Sequence, residues 1–329
     1  MKKSFTLTAA IAATASVLAP APAASAAAGG APEKPVLTQV KTTVTFDFAA
    51  GESAENITAA PDGSLTISQI GITVNKPPKL VRVSPSGRST VLATAEAGDG
   101  ILGNTRGPDG TLYYNVLSAD AARSGVWAIP PGGTAHRVAA LPTDSFPNGL
   151  AIDPSGRTLY VTDSKNGTVL AVAATGGTAA VWASGAALTP TSTTFPLGAN
   201  GLRFHNGALW VSNTDQGKLL RIPVTATGKA GQIHVVSGDV AGIDDFNFLN
   251  ARSNTAFVAL NGPNEIAVVY PDGSRKTVLT SADGLTSPTA TAVRGKRLYI
   301  TDAGFAEPNI TKLQQAQINL SALFRAASS

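Results

Sequence analysis

Apolar and polar residues recur along this chain in runs of five or six, and each run stops at a turn. Residues 149–183 show the pattern whole. GLAID (149–153) is a short apolar run, PSGR turns, and TLYVTD (158–163) is a second run rich in β-branched and aromatic residues. Asn166-Gly167 then turns, TVLAVA (168–173) follows, and a TGG turn leads to AAVWA (179–183). Short runs of this kind broken by Asn, Asp, Gly and Pro predict a four-stranded antiparallel meander with tight hairpins.

The first half of that phrase recurs six times at intervals of about 40–50 residues. The copies are NITAAPDGSLTIS (56–68), GNTRGPDGTLYYN (103–115), NGLAIDPSGRTLYVTD (148–163), NGLRFHNGALWVSN (200–213), DFNFLNARSNTAFVAL (245–260) and TAVRGKRLYITD (291–302). Later turns recur as well: SPSGR (84–88), PPGG (130–133), TATGK (225–229) and PDGS (271–274). Six short-strand units at this period predict an all-β fold, a six-bladed β-propeller of four-stranded antiparallel blades, spanning residues 42–329 as one domain. TTVTFDF (42–48) precedes the first copy without a partner of its own. It is expected to pair with the C-terminal segment LQQAQINL (313–320), closing the ring and removing a free sheet edge. A helix is the competing reading of 313–320.

Composition changes the picture at the N-terminus. Lys2 and Lys3, the apolar stretch 6–19 and Ala24-Ser25-Ala26 read as a signal peptide over 1–26, so the protein is expected to be secreted and extracellular. That stretch is too short and too rich in Ala and Thr to span a membrane. Residues 27–41 read as a flexible segment. The net charge of +4 falls to +2 once the two lysines are removed, and no basic face stands out, so nucleic acid is not an expected partner. A small molecule is, and a closed ring needs no second copy. The chain has no cysteine and therefore no disulfide staples.

Aligning the copies singles out one position per unit, expected immediately before its first strand and pointing toward the channel mouth. Counting six residues back from Pro61, Pro108 and Pro154 gives Glu55, Leu102 and Asn148. Aligning the remaining units on their second strands gives Asn200, Asp245 and Thr289. Glu55, Asn148, Asn200 and Asp245 form an oxygen-only set of charge −2, which suits Ca²⁺ or another hard divalent cation; zinc would want His or Cys. Asn and Asp are also ordinary turn residues, as at Asn166, Asn206 and Asn261. Gln69, Asp163, Asn213 and Asp302 end the second strands, as supports for the ligands or as turn caps. Loop 184–199 opens on the same mouth. His136, His205 and His234 lie outside this set, with His205 expected at an exposed turn. No serine-hydrolase elbow, P-loop or dinucleotide fingerprint occurs.

PNGLAIDPSGRTLYVTDS (147–164), ANGLRFHNGALWVSNT (199–214) and GIDDFNF (242–248) resemble the SMP-30/gluconolactonase/luciferin-regenerating-enzyme-like family. The resemblance implies a six-bladed propeller with one divalent ion, usually Ca²⁺, in the channel mouth. It implies an ion held by Glu55, Asn200 and Asp245, with Asn148 lining the site and the substrate pocket; in a hydrolase Asn148 would orient substrate and Asp245 would serve as general base as well as ligand. The implied activity is a lactonase or related ester hydrolase. Three features depart from the family: Asn56-Ile57-Thr58 follows Glu55 in place of Gly and Pro, the third unit lacks a second acid, and no arginine stands beside Asn148. A non-catalytic extracellular binding propeller with a structural ion is the alternative.

Overall fold

Val, Ile, Leu and aromatic side chains at alternate positions suit a pleated surface, and the turn glycines supply the positive φ that hairpins need. Gly63, Gly110 and Gly156 sit in the first turns of three units at φ between 72° and 90°. In the computed structural model, which describes residues 33–325, these tendencies produce six sheets of four antiparallel strands.

A first strand, β1 (Leu37–Thr45), precedes the repeats. Blade one holds β2 (Ala54–Ala59), β3 (Leu65–Gln69), β4 (Lys79–Val83) and β5 (Ser89–Thr94). Blade two holds β6 (Gly100–Arg106), β7 (Leu112–Leu117), β8 (Gly125–Ile129) and β9 (His136–Ala140). Blade three is β10 (Pro147–Ile152), β11 (Thr158–Asp163), β12 (Thr168–Ala173) and β13 (Ala180–Ser184). Blade four is β14 (Ala199–His205), β15 (Ala208–Asn213), β16 (Lys218–Pro223) and β17 (His234–Ser237). Blade five is β18 (Ile243–Phe248), β19 (Ala256–Leu260), β20 (Glu265–Val269) and β21 (Arg275–Leu279). Blade six combines β22 (Pro288–Arg294), β23 (Arg297–Asp302) and β24 (Lys312–Ile318) with β1 as its outer strand. The molecule is a six-bladed β-propeller.

Pairing of β1 with β24 runs from Leu37 opposite Ile318 to Thr45 opposite Lys312, so the two ends of the chain close the ring together. The strand starts at Leu37, earlier than the sequence pattern suggested, and residues 37–41 belong to the fold and not to a flexible leader. The segment 313–320 is strand as far as Ile318. A short helix, α1 (Leu320–Arg325), follows and buries Ala322 and Leu323. The expected signal peptide lies outside the described residues.

Apolar clusters fill the junctions between neighbouring blades. Leu80 and Tyr114 share the cluster between blades one and two, and Val126 and Val161 share that between two and three. Around the rest of the ring Tyr160 shares a cluster with Val211, Trp210 with Phe246, Phe257 with Leu298, and Ile57 with Tyr299. Each fully buried large side chain contributes about 1.5–3 kcal/mol. His205 differs from expectation: its Nε2 contacts the Ser253 carbonyl, and its ring stacks on Phe248 at 3.7 Å. The stacking buries it, and burial lowers its pKa.

Candidate functional site

Every first strand begins with a bulge, and the bulge builds the site. Between Pro147 and Leu150, the register of β10 against β11 shifts by one residue. The same irregularity occurs at Ala199/Leu202, Ile243/Phe246, Ala54/Asn56, Ile101/Asn104 and Pro288/Ala290. A bulge re-aims a side chain that a flat strand would send into the sheet face. The candidate residues therefore lie within the first strands and not before them.

Register sets the equivalences. Ala54, Pro147, Ala199 and Ile243 each pair with the last residue of their second strand: Gln69, Asp163, Asn213 and Leu260. The next residue in each blade is Glu55, Asn148, Asn200 and Asp244. Blades two and six contribute Leu102 and Thr289 at this position. The sequence alignment had placed Asp245 in the set, but pairing places Asp244 there and moves Asp245 one step inward. The cause is the turn after β18, where Leu249 N–H reaches Thr255 O across five intervening residues. The corresponding bond in blade three, Asp153 N–H to Thr158 O, spans four. Counting back from the second strand by the spacing of blade three thus stops one residue late, at Asp245.

Side chains on the second strands hold these positions from the neighbouring blade. Asn115 Nδ2 donates to Asn148 O at 2.8 Å, Thr162 Oγ1 donates to Asn200 O, and Ser212 Oγ donates to Asp244 O at 2.5 Å. All these groups are buried, so each bond fixes the mouth against the next blade.

Glu55, Asn148, Asn200, Asp244 and Asp245 are all buried, between 2 and 8 % exposed. Burial, then repulsion from Asp245, pushes the Glu55 carboxyl from 4.5 up to about 8. Burial and the charges of Glu55 and Asp245 push Asp244 well above the carboxylate range, against a contact from Asn200. Glu55 Oε2 and Asn200 Oδ1 are enclosed without a hydrogen-bond partner. Asn200 spends its amide on Thr214 Oγ1 at 2.9 Å.

Asp245 is different, because its oxygens are in use. Oδ2 accepts from Arg203 Nη2 at 2.5 Å and from Asn56 Nδ2 at 2.6 Å, while Oδ1 accepts from its neighbour Phe246 N–H at 2.7 Å. Burial raises its pKa and Arg203 opposes the rise. Asn56 comes from blade one and Arg203 from blade four, so this buried ion pair ties three blades together beneath the mouth. Sequence reading missed Asn56, Arg203 and Asp244. The paired acids Asp244-Asp245 were a visible signal for the last of these.

The strand-end residues act chiefly as caps. Asp163 Oδ1 accepts from Phe146 N–H at 2.9 Å and from Asn166 N–H at 3.2 Å, and Asn213 Oδ1 accepts from Gln216 N–H at 3.0 Å. Asp302 Oδ1 accepts from Thr286 N–H at 2.8 Å. Its Oδ2 and Gln69 Oε1 lack partners, and burial pushes the Asp302 carboxyl up to about 7. Loop 184–199 is pinned to the mouth by Asp215 Oδ2, which accepts from Thr191 and Ser192 N–H at 2.9 Å each. The loop presents an exposed Phe195 edge-on to Phe146, 6.0 Å between ring centres.

Among the described residues, no three or more His, Cys, Asp or Glu side chains are gathered to hold a metal. The lone pairs still open belong to a mixed set of carboxylates and carboxamides. No helix among these residues is long and apolar enough to cross a membrane.

Residues 145–171 match the NHL repeat. No curated protein sequence matches the chain. Solved structures do. An auxiliary nutrient binding protein from Bacteroides ovatus aligns at TM-score 0.67 and 11% identity, over 87% of this chain and 78% of its own. A gluconolactonase-like protein aligns at 0.62 and 17%, over 86% and 92%. Virginiamycin B lyase from Staphylococcus aureus aligns at 0.57 and 14%, over 85% and 99%. At these identities the likeness is one of architecture: this chain is a six-bladed propeller, and a stretch of its third blade is similar to the NHL repeat.

Proposed function

We propose that the axial mouth is a calcium-dependent hydrolytic site of the SMP-30/gluconolactonase type, acting outside the cell on a lactone or related ester. The observation that carries this reading is the meeting of partnerless Glu55 Oε2 and Asn200 Oδ1 with the Asp244 carboxylate at equivalent places in the ring. Buried acceptors without donors are costly, and a hard cation satisfies oxygens of this kind. Glu55, Asn200 and Asp244 would hold it, with Asn148 beside them. When bound, the ion supplies polarisation of a substrate carbonyl.

The residues divide the remaining work. Asn148 has no side-chain hydrogen bond among the described residues, so its carboxamide is free to orient a substrate oxygen. Asp244 is the acid placed to take a proton from the attacking water, whose oxygen bonds to the carbonyl carbon as the ester C–O bond breaks. That proton then leaves with the alcohol oxygen. Asp245 is better suited to holding the frame than to acting as base, since Arg203, Asn56 and Phe246 already occupy its oxygens. Phe146 and Phe195 supply an apolar rim.

The near-complete enclosure of Asn200, 2 % exposed, favours a second reading, a binding propeller whose ion only stiffens the mouth. Metal analysis of the purified mature protein, followed by a lactone and ester panel with chelator and added calcium, separates the two. Turnover lost with chelator and restored by calcium supports the hydrolase. Calcium-dependent stability without turnover supports the binding propeller, and neither calcium binding nor turnover overturns both.

A further inference from the structure

The opposite face carries a cavity with different chemistry. It has a volume of about 250 Å³ and lies at the seam between blades one and six. Turn residues Asp62, Gly63 and Ser84 wall one side, and Arg294, Arg297 and Tyr299 the other. An adjoining cavity of about 150 Å³ shares Arg297 and Gln315 and adds Lys41.

Arg294 and Arg297 stand directly opposite each other across the β22–β23 hairpin, with Lys296 between them in the turn. Like charges in that position repel. Neither arginine forms an ion pair among the described residues. Arg294 makes one bond, Nη2 to Pro61 O at 3.1 Å. Its guanidinium lies over Gly63, where an added Cβ would come within 3.3 Å of it. Arg297, the Tyr299 hydroxyl and the Gln315 carboxamide make no side-chain hydrogen bonds there. The single acid in the wall, Asp62, is already engaged: it accepts from Ser64 and Arg82, which hold it low at about 2. Two guanidinium groups, a phenol and a carboxamide thus line one cavity with unused donors and no free counter-charge.

We propose that this seam cavity binds a small oxyanion, a carboxylate-, phosphate- or sulfate-bearing molecule. Its charge bridges Arg294 and Arg297, and Tyr299 and Gln315 donate at its edge. A guanidinium pair matches the paired oxygens of such groups, and an anion held between these two exposed arginines offsets the repulsion across the hairpin. The site is independent of the axial mouth, from which it is separated by the length of the strands.

The test uses the mature protein at neutral pH and fixed ionic strength, with chloride as the balancing salt. Inorganic phosphate, sulfate and citrate are titrated by calorimetry and followed by thermal unfolding. Saturable binding is expected for at least one, and the order of affinities assigns the headgroup. Arg297→Gln removes no bond and should fold normally, yet it should weaken binding about tenfold. Arg252→Gln, at an exposed arginine in the turn after β18, should leave binding unchanged. No saturable binding by any of the three anions, or equal binding in Arg297→Gln, overturns the proposal.

Discussion

Consider the protein with cations removed by chelator and Glu55 changed to Gln. In the wild type the Glu55 carboxyl is pushed from 4.5 up to about 8 by burial and by Asp245. A folded-state pKa above the unfolded one means that the folded state holds the proton more tightly. Stability is therefore greatest below about pH 4.5 and falls as pH rises toward 8. At about 1.4 kcal/mol per pKa unit the full loss is on the order of 5 kcal/mol. For a domain of this size that corresponds to a fall of about 10 °C in Tm. Asp244, raised by the same causes, adds to the slope. The glutamine side chain keeps the shape without the charge and also relieves Asp244. Circular dichroism melts of both proteins in chelator, at pH 5 and pH 8, measure the difference. The wild type should lose far more Tm between those pH values than Glu55→Gln, and saturating calcium should flatten its profile. Parallel Tm–pH curves for the two proteins would refute the placement of Glu55 in an uncompensated acidic cluster.

Arg203→Met should cost about 3–5 kcal/mol, because it leaves Asp245 buried and unpaired. Adding Asp245→Asn should recover part of that loss in a denaturant-melt double-mutant cycle, whereas strictly additive effects would show that the two residues are not coupled. Asp244→Asn should abolish the rise in Tm produced by calcium, while Asp245→Asn, one residue away, should keep it. Reversed outcomes would return Asp245 to the ligand set. Deleting residues 33–45 removes β1 and exposes the edge of β24. The truncated protein should melt lower and associate at high concentration, as light scattering would detect; an unchanged monomer would show that ring closure does not depend on β1.

Much of the fold was legible in the sequence because its signals are local. In blade three the predicted Thr158–Asp163 and Thr168–Ala173 are the observed strands β11 and β12, since alternation and turn glycines act over a few residues. The start of β1 was harder to read, because its pairing with β24 joins the two ends of the chain. Glu55 and Asn148 could be aligned because each stands six residues before a turn proline, and Asn200 because the Leu209-Trp210 pair of its second strand aligns its unit with the others. Asp244 could not, because the turn after β18 is one residue longer than the turn after β10. His205 was read as a turn residue, and its stacking on Phe248 depends on the neighbouring blade.

The sequence by itself determined the six units, their four strands and the oxygen-rich character of their first positions. Those properties follow from side-chain alternation, which needs no knowledge of distant residues. Only the tertiary structure decided which of two adjacent acids stands at the ring position, because a one-residue change of register turns a side chain to the other face. It alone paired Asp245 with Asn56 across 189 residues and with Arg203 across 42, and it set Arg294 and Arg297 against blade one. Ring closure brings these charges together, and burial gives their meeting its energetic weight.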